Sequence, residues 1–221
     1  MFDANQLARD TTAAFQQHPI VGAVLGGQLT RPQYQRYITD VYHYARHSAV
    51  VIGTAGVRLV HSHPQLAAYL FHHAEEELGH DAWAHSDLID LGVPAATIAA
   101  SQPSDACRQM IEMEHYLAFH GNAVGLFGWM FVLECLGGDL GGAMAAGISR
   151  ALGLDGKGVW FLSGHGEADS HHKLDLAHII TAHVTEPADA AVFLATVERA
   201  RGLYIGILDA ALAARPLAAA A

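Results

Sequence analysis

Apolar residues recur along this chain at intervals of three and four, the spacing that gathers side chains on one face of an α-helix. Leu7, Thr11, Ala14 and Phe15 share such a face in a first segment, which His18-Pro19 closes. Thr30-Arg31-Pro32 reads as a helix start, with Thr30 as N-cap and Pro32 in the first turn, where its missing N–H costs nothing. From Tyr34 through Tyr37, Ile38, Val41, Tyr42, Ala45, Val50 and Ile52, one face stays apolar toward Leu59. After His61-Ser62-His63-Pro64, a third helix is predicted over about 64–91, ending at Gly92-Val93-Pro94. A fourth begins within 101–105 and breaks near Gly121-Asn122. The fifth carries Trp129, Phe131, Leu133 and Glu134 up to the glycine-rich stretch 137–142. A sixth covers about 158–184, and a seventh runs from Thr185-Glu186-Pro187 to about Ala213. No segment alternates β-branched and polar residues between hairpin turns, and neither a repeat nor a linker divides the chain. The expectation is one all-α domain over 1–221, a bundle of seven or eight helices with a frayed tail after 214.

Composition narrows the function classes. Of 221 residues 52% are hydrophobic, ample for a core, and 22 acids against 12 strong bases give a net charge of −10. With no basic patch to neutralise phosphates, nucleic acid is not an expected partner. The N-terminus, Met1-Phe2-Asp3-Ala4, lacks the basic and apolar regions of a signal peptide. The longest strongly apolar uncharged run, His120 to Leu133, has 14 residues, short of a bilayer span, so no membrane partner is expected. Cys107 and Cys135, 28 positions apart, make no disulfide framework, which points to the cytoplasm. A homodimer is the expectation for a helical protein of this size. The anomaly is histidine: 16 of them, more than Lys and Arg together.

Three segments place ligand-type side chains among apolar ones. His165, Asp169 and His172 are spaced i, i+4, i+7 and fall within about 60° of arc on one helix, so two imidazoles flank a carboxylate on one stripe. Such a stripe can present N, O and N donors to a divalent metal. In His72-His73-Ala74-Glu75-Glu76-Glu77-Leu78-Gly79-His80, the pair Glu77 and His80 has the E-x-x-H spacing used in helical dimetal carboxylate bundles. His73 and Glu76 share that face, so one turn of ambiguity remains. Glu134 is the single charge in Gly128-Trp129-Met130-Phe131-Val132-Leu133-Glu134-Cys135-Leu136 and needs a cation, either an arginine or a metal. Together Glu77, His80, Glu134, His165, Asp169 and His172 offer three carboxylates and three imidazoles, a set better suited to two divalent irons than to one structural zinc. Glu134 is the natural bridge.

At these residues the sequence resembles the haem-oxygenase-like diiron oxidases, in the superfamily that also holds thiaminase II and pyrroloquinoline-quinone synthase. The resemblance extends from His18 to about Val184. It rests on His18-Pro19 with Gly26-Gly27-Gln28-Leu29-Thr30, on Tyr42-His43-Tyr44-Ala45-Arg46-His47-Ser48, on His73-x2-Glu76-Glu77-x2-His80-Asp81, on Val132-Leu133-Glu134 and on the stripe of His165, Asp169 and His172. Some members carry a carboxylate seven residues before the first histidine ligand, where this chain has His73, and others use the E-x-x-H pair. Glu77 is therefore taken as the ligand, with His73 or Glu76 as the alternatives. The resemblance implies a haem-oxygenase-like fold, two ferrous ions per chain with the second one labile, and O2 as co-substrate. It implies a small-molecule substrate, amino-acid-like or a fatty acid. Three other readings compete. A haem oxygenase would need His18 as proximal ligand, a metal-free thiaminase-like hydrolase would need Cys135 as nucleophile, and a non-enzymatic bundle would only bind iron. His43 and His47 are expected to face the pocket, and Arg46 and Arg58 are candidates for a substrate carboxylate.

Overall fold

The boundaries of the helices are set by caps, prolines and glycines. The computed structural model describes residues 2–215, and for 166–171 the backbone alone. Helix α1 (Ala4–Gln16) starts at Asp3, whose carboxylate accepts the N–H groups of Asn5 and Gln6. His18 then begins a short helix that periodicity does not foretell, α2 (Pro19–Leu25), by accepting the Ile20 N–H on Nδ1. Thr30 opens α3 (Arg31–Leu59) as expected, and the Gln33 side chain accepts the Thr30 N–H at 3.0 Å.

The helix expected over 64–91 is two, α4 (Pro64–Glu76) and α5 (His80–Asp90). Gly79 stands between them at φ +90°, a left-handed conformation that glycine adopts without strain. The short α6 (Ala95–Ala100) and then α7 (Asp105–Phe119) follow, the latter capped by Ser104. The predicted break near Gly121 is present, and Arg58 fills it by donating to the carbonyls of Leu117, Ala118 and Gly121.

The glycine-rich stretch does not end the fifth helix. After a 3-10 turn (Ala123–Gly125), α8 (Leu126–Leu136) passes through a π-helical turn (Gly137–Gly141) into α9 (Gly142–Leu152). Within that turn Asp139 accepts from Thr12 of α1 at 2.6 Å and from Lys173 at 2.5 Å, which ties the widened turn to both neighbours. The run Ala123–Leu152 is long and apolar enough to cross a membrane by length and composition, but 72% of its most apolar window is buried inside the fold. It is a core helix of this bundle, longer than the 14-residue run suggests. Finally α10 (Trp160–His183) and α11 (Pro187–Ala213) complete the chain.

Among the described residues all regular structure is helical. The architecture is the expected all-α bundle, with extra breaks at α2, α6 and Gly79. Central α3 packs against α4, α5, α7 and α11, and α8 lies between α11, α10 and α1. Phe127, Phe131, Phe193 and Tyr204 fill the space between them. At the α8–α11 crossing a Cβ on Gly128 would stand 2.5 Å from the Phe193 carbonyl oxygen, so only glycine permits that approach. This close crossing fixes the depth at which α8 presents Glu134.

Candidate metal centre

Four helices and the turn between two of them converge on one buried place. The end of α4 supplies His73 and Glu76, the turn supplies Glu77, α5 begins with His80, α8 supplies Glu134, and α10 supplies His165 and His172. Glu134 is 5% exposed and His73 4%.

These side chains form two adjoining groups of donors. In the first, the ligand atoms of His73, Glu76 and His172 all lie within 4.8 Å of one another, and in the second so do those of Glu77, His80 and His165. His73 links the groups: its Nε2 is 3.2 Å from Glu134 Oε1 and 3.9 Å from Glu77 Oε1. Glu134 also faces His172, with Oε2 at 3.8 Å from Nδ1, and Glu76 Oε2 is 3.5 Å from His172 Nε2. The lone charge of α8 thus meets imidazoles from α4 and α10.

The E-x-x-H pair is brought together by a different route than its spacing suggests. Glu77 ends α4 and His80 starts α5, so they do not share a helix face; the turn at Gly79 folds them together, with Nδ1 to Oε1 at 3.4 Å. Burial pushes the Glu77 carboxyl upward, but the hydrogen bond from His80 and the charges of His165, His80 and His73 outweigh it, and the group is held below its usual range.

The His165 ring is fixed from behind. Its Nδ1–H donates to the Phe161 carbonyl at 2.8 Å and the Phe161 ring stacks on it, centroids 4.1 Å apart. With Nδ1 held this way, Nε2 is the ring nitrogen left to face the cluster. Phe161 is itself placed by Asp87 of α5, whose two oxygens accept the N–H groups of Trp160 and Phe161 at 2.8 and 2.9 Å. Burial raises the Asp87 pKa to about 6 against the lowering effect of those bonds.

Of the expected ligands, Glu77, His80, Glu134, His165 and His172 are brought together. Asp169 lies outside the residues whose side chains are described. His73 and Glu76, held as alternatives to Glu77, stand beside it rather than in its place. The donor set of imidazole nitrogen and carboxylate oxygen suits ferrous iron and its neighbours in the first transition row.

A small cavity of about 40 Å³ lies on the cluster, lined by His73, Glu77, Glu134 and His165 together with Tyr44 and Trp129. Tyr44, given no role of its own from the sequence, therefore belongs to the site. Its one sequence mark is the position beside His43 on an otherwise apolar face. An apolar cavity of about 70 Å³ adjoins it and shares Tyr44, Leu133, Phe161 and His165.

Residues 35–204, over three quarters of the chain, match the sequence profile of the family described as iron-containing redox enzyme. The chain belongs to that family. Solved structures share its fold. A domain of unknown function with a haem oxygenase-like fold from Shewanella denitrificans OS217 has a TM-score of 0.83 at 24% identity, covering 94% of this chain and 89% of that one. A TenA homologue from Pseudomonas syringae pv. tomato has 0.76 at 13%, covering 95% and 90%. Haem oxygenase from Leptospira interrogans has 0.70 at 17%, covering 94% and 98%. A comparison with curated, functionally described proteins finds no match.

In this member of the family the other candidate residues are otherwise employed. His18 accepts the Ile20 N–H on Nδ1 and pairs through Nε2 with Asp209 at 3.1 Å, so neither nitrogen is open to a haem. Cys135 is fully buried and burial pushes its thiol up to about 12, unlike a nucleophile. His43 bonds Ser101 and His47 bonds His115 of α7, and neither lines the two cavities, contrary to expectation. Arg46 is exposed over the Tyr42 ring and Arg58 caps α7, so neither awaits a substrate carboxylate.

Proposed function

We propose that this protein is a non-haem diiron oxidase or oxygenase that uses O2 to oxidise a small organic molecule. The observation that carries this reading is the pair of adjoining donor groups, His73–Glu76–His172 and Glu77–His80–His165, joined through His73 and Glu134. Seven donors exceed the four that close a structural zinc site. Their chemistry suits two ferrous ions, one at each group, with Glu134 placed to serve the first and Asp169 added on its spacing alone. Bound there, ferrous ions would supply the electrons that activate dioxygen.

The chain's own residues would hold and aim that chemistry. Phe161 holds the His165 ring through Nδ1, so Nε2 would be the nitrogen offered to a metal. The histidines around Glu77 keep its carboxylate ionised and ready for a cation. Trp129, Met130 and Leu133 line the cavity over the cluster on the α8 side and give it an apolar wall. Both cysteines are free and buried, in keeping with a cytoplasmic setting.

Anaerobic titration with ferrous iron, followed by oxygen-electrode measurements over amino acids, amines, fatty acids and alcohols, tests the reading. Binding of about two ions per chain and substrate-triggered O2 uptake are expected, both lost in a Glu77→Ala/Glu134→Ala double variant. Ferrous iron held no more tightly by the natural chain than by that variant, or haem bound in its place, would overturn it.

A further inference from the structure

The 70 Å³ cavity beside the cluster has a lining that says what it can hold. Its walls come from α2 (Ile20, Val21, Val24), from the π-turn (Gly137, Leu140, Gly141), and from Met144, Ile148 and Leu208. Among the described residues that line it there is no Lys, Arg, Asp or Glu.

The few polar groups are almost all spoken for. Gln33 accepts the Thr30 N–H and donates to the Leu212 carbonyl. The Tyr37 and Tyr204 hydroxyls bond one another at 2.8 Å, and Tyr44 bonds Tyr204. His165 uses Nδ1 on Phe161 and turns Nε2 to the cluster. The Tyr34 hydroxyl alone has no hydrogen-bond partner among the described residues, and it is uncharged.

A free amino acid placed here would bury an ammonium or a carboxylate without a counter-charge, at a cost that a short hydrophobic side chain does not recover. Hydrocarbon meets no such penalty, and an apolar hole of this kind stays dry until hydrocarbon fills it. Because the cavity shares Tyr44, Leu133, Phe161 and His165 with the space over the cluster, a molecule seated in it ends beside the donor groups.

We propose that this cavity receives the substrate's apolar body, so that the enzyme selects an uncharged aliphatic chain or ring and excludes free amino acids and amines. The proposal rests on the cluster being the oxidising centre. Its volume lies below the roughly 150 Å³ hole that accepts benzene, so the enclosed segment is short. Met144 and Leu136, both half-buried on its wall, set the length.

The test is a binding series read by calorimetry or ligand-observed NMR, run anaerobically on iron-free and on ferrous-loaded protein. The probes are straight-chain alcohols from 1-butanol to 1-decanol, with norleucine and hexylamine as charged counterparts of 1-hexanol. Affinity should rise about fourfold per methylene until the cavity is full. Norleucine and hexylamine should bind at least about a hundredfold more weakly than 1-hexanol. Met144→Trp should weaken alcohol binding about tenfold, and Leu136→Ala should move the preferred alcohol to a longer chain.

Charged probes binding as well as 1-hexanol would overturn the proposal, as would alcohol affinity that ignores Met144→Trp. If that variant does not fold, as circular dichroism would show, an unchanged chain-length preference in Leu136→Ala overturns it equally. Failure of ferrous binding with the alcohol series intact would sink the oxidising-centre reading and leave the cavity assignment standing. The reverse result would do the opposite.

Discussion

Glu114 sits wholly buried on α7, and neither carboxylate oxygen has a hydrogen-bond partner among the described residues. Burial alone raises its pKa well above the ordinary glutamate value of 4.5, so the folded chain keeps a proton that the unfolded chain releases. Stability from a group raised in this way is complete below the unfolded pKa and declines as pH climbs above it toward the folded value. Glu114→Gln should flatten that decline, and Glu114→Leu should also add about 1–3 kcal/mol at neutral pH by removing an unsatisfied buried group. Urea unfolding across pH checks both, and a slope that survives Glu114→Gln would refute the account. Residues of this kind are hidden in sequence, because Glu114 lies among Glu112, His115 and Arg108 and looks like a surface acid. Glu134 is legible for the opposite reason: its neighbours along the chain are all apolar. His73 stands between these cases, since its i+3 and i+4 partners are plain but the turn that brings Glu77 back to it is not.

At the scale of elements, what positions the site is contact between helices far apart in sequence. Asp87 on α5 caps α10 from 73 residues away, because the N-cap residue Val159 offers no side chain to bond the first turn. Asp87→Ala should cost about 1–2 kcal/mol in a thermal or urea melt, as the loss of a cap does. Since Phe161 holds both Asp87 and His165, the same change should weaken ferrous binding about tenfold. A loss of stability with unaltered iron affinity would show that α10 keeps its place without this cap. The α8–α11 crossing gives a second test. Gly128→Ala must push α8 away from the Phe193 carbonyl, so it should destabilise by about 1–3 kcal/mol and lower the melting temperature. The seven long helical stretches are legible from spacing, because amphipathic periodicity is a local property of the chain. Their interruptions are legible only where proline or a cap marks them, as at Thr30 and Pro64. The left-handed Gly79 and the π-turn depend on partners such as Asp139's ties to α1 and α10, which no window of sequence contains.

Across the whole molecule, iron and folding should be linked. The donors come from α4, α5, α8 and α10 and from the Glu77 turn, so each ion would hold several helices in one register. An unfolded chain scatters these groups along roughly a hundred residues and offers no comparable site. Ferrous iron should therefore bind the folded form preferentially and stabilise it by RT ln(1 + [L]/Kd), about 2.7 kcal/mol for one site at a hundredfold excess over Kd. Removing iron with a chelator should lower the melting temperature, and the difference should grow with ferrous concentration. The Glu77→Ala/Glu134→Ala variant should show no such dependence. Hydrogen exchange locates the effect: iron should slow exchange in α5 and in α10 near His165, with little change in α1, which contributes no donor. Protection spread evenly over all helices would indicate a general stabilisation by bound cations, which the net charge of −10 alone could produce. A melting temperature indifferent to both iron and chelator would leave the seven donors as a hydrogen-bonded core without metal.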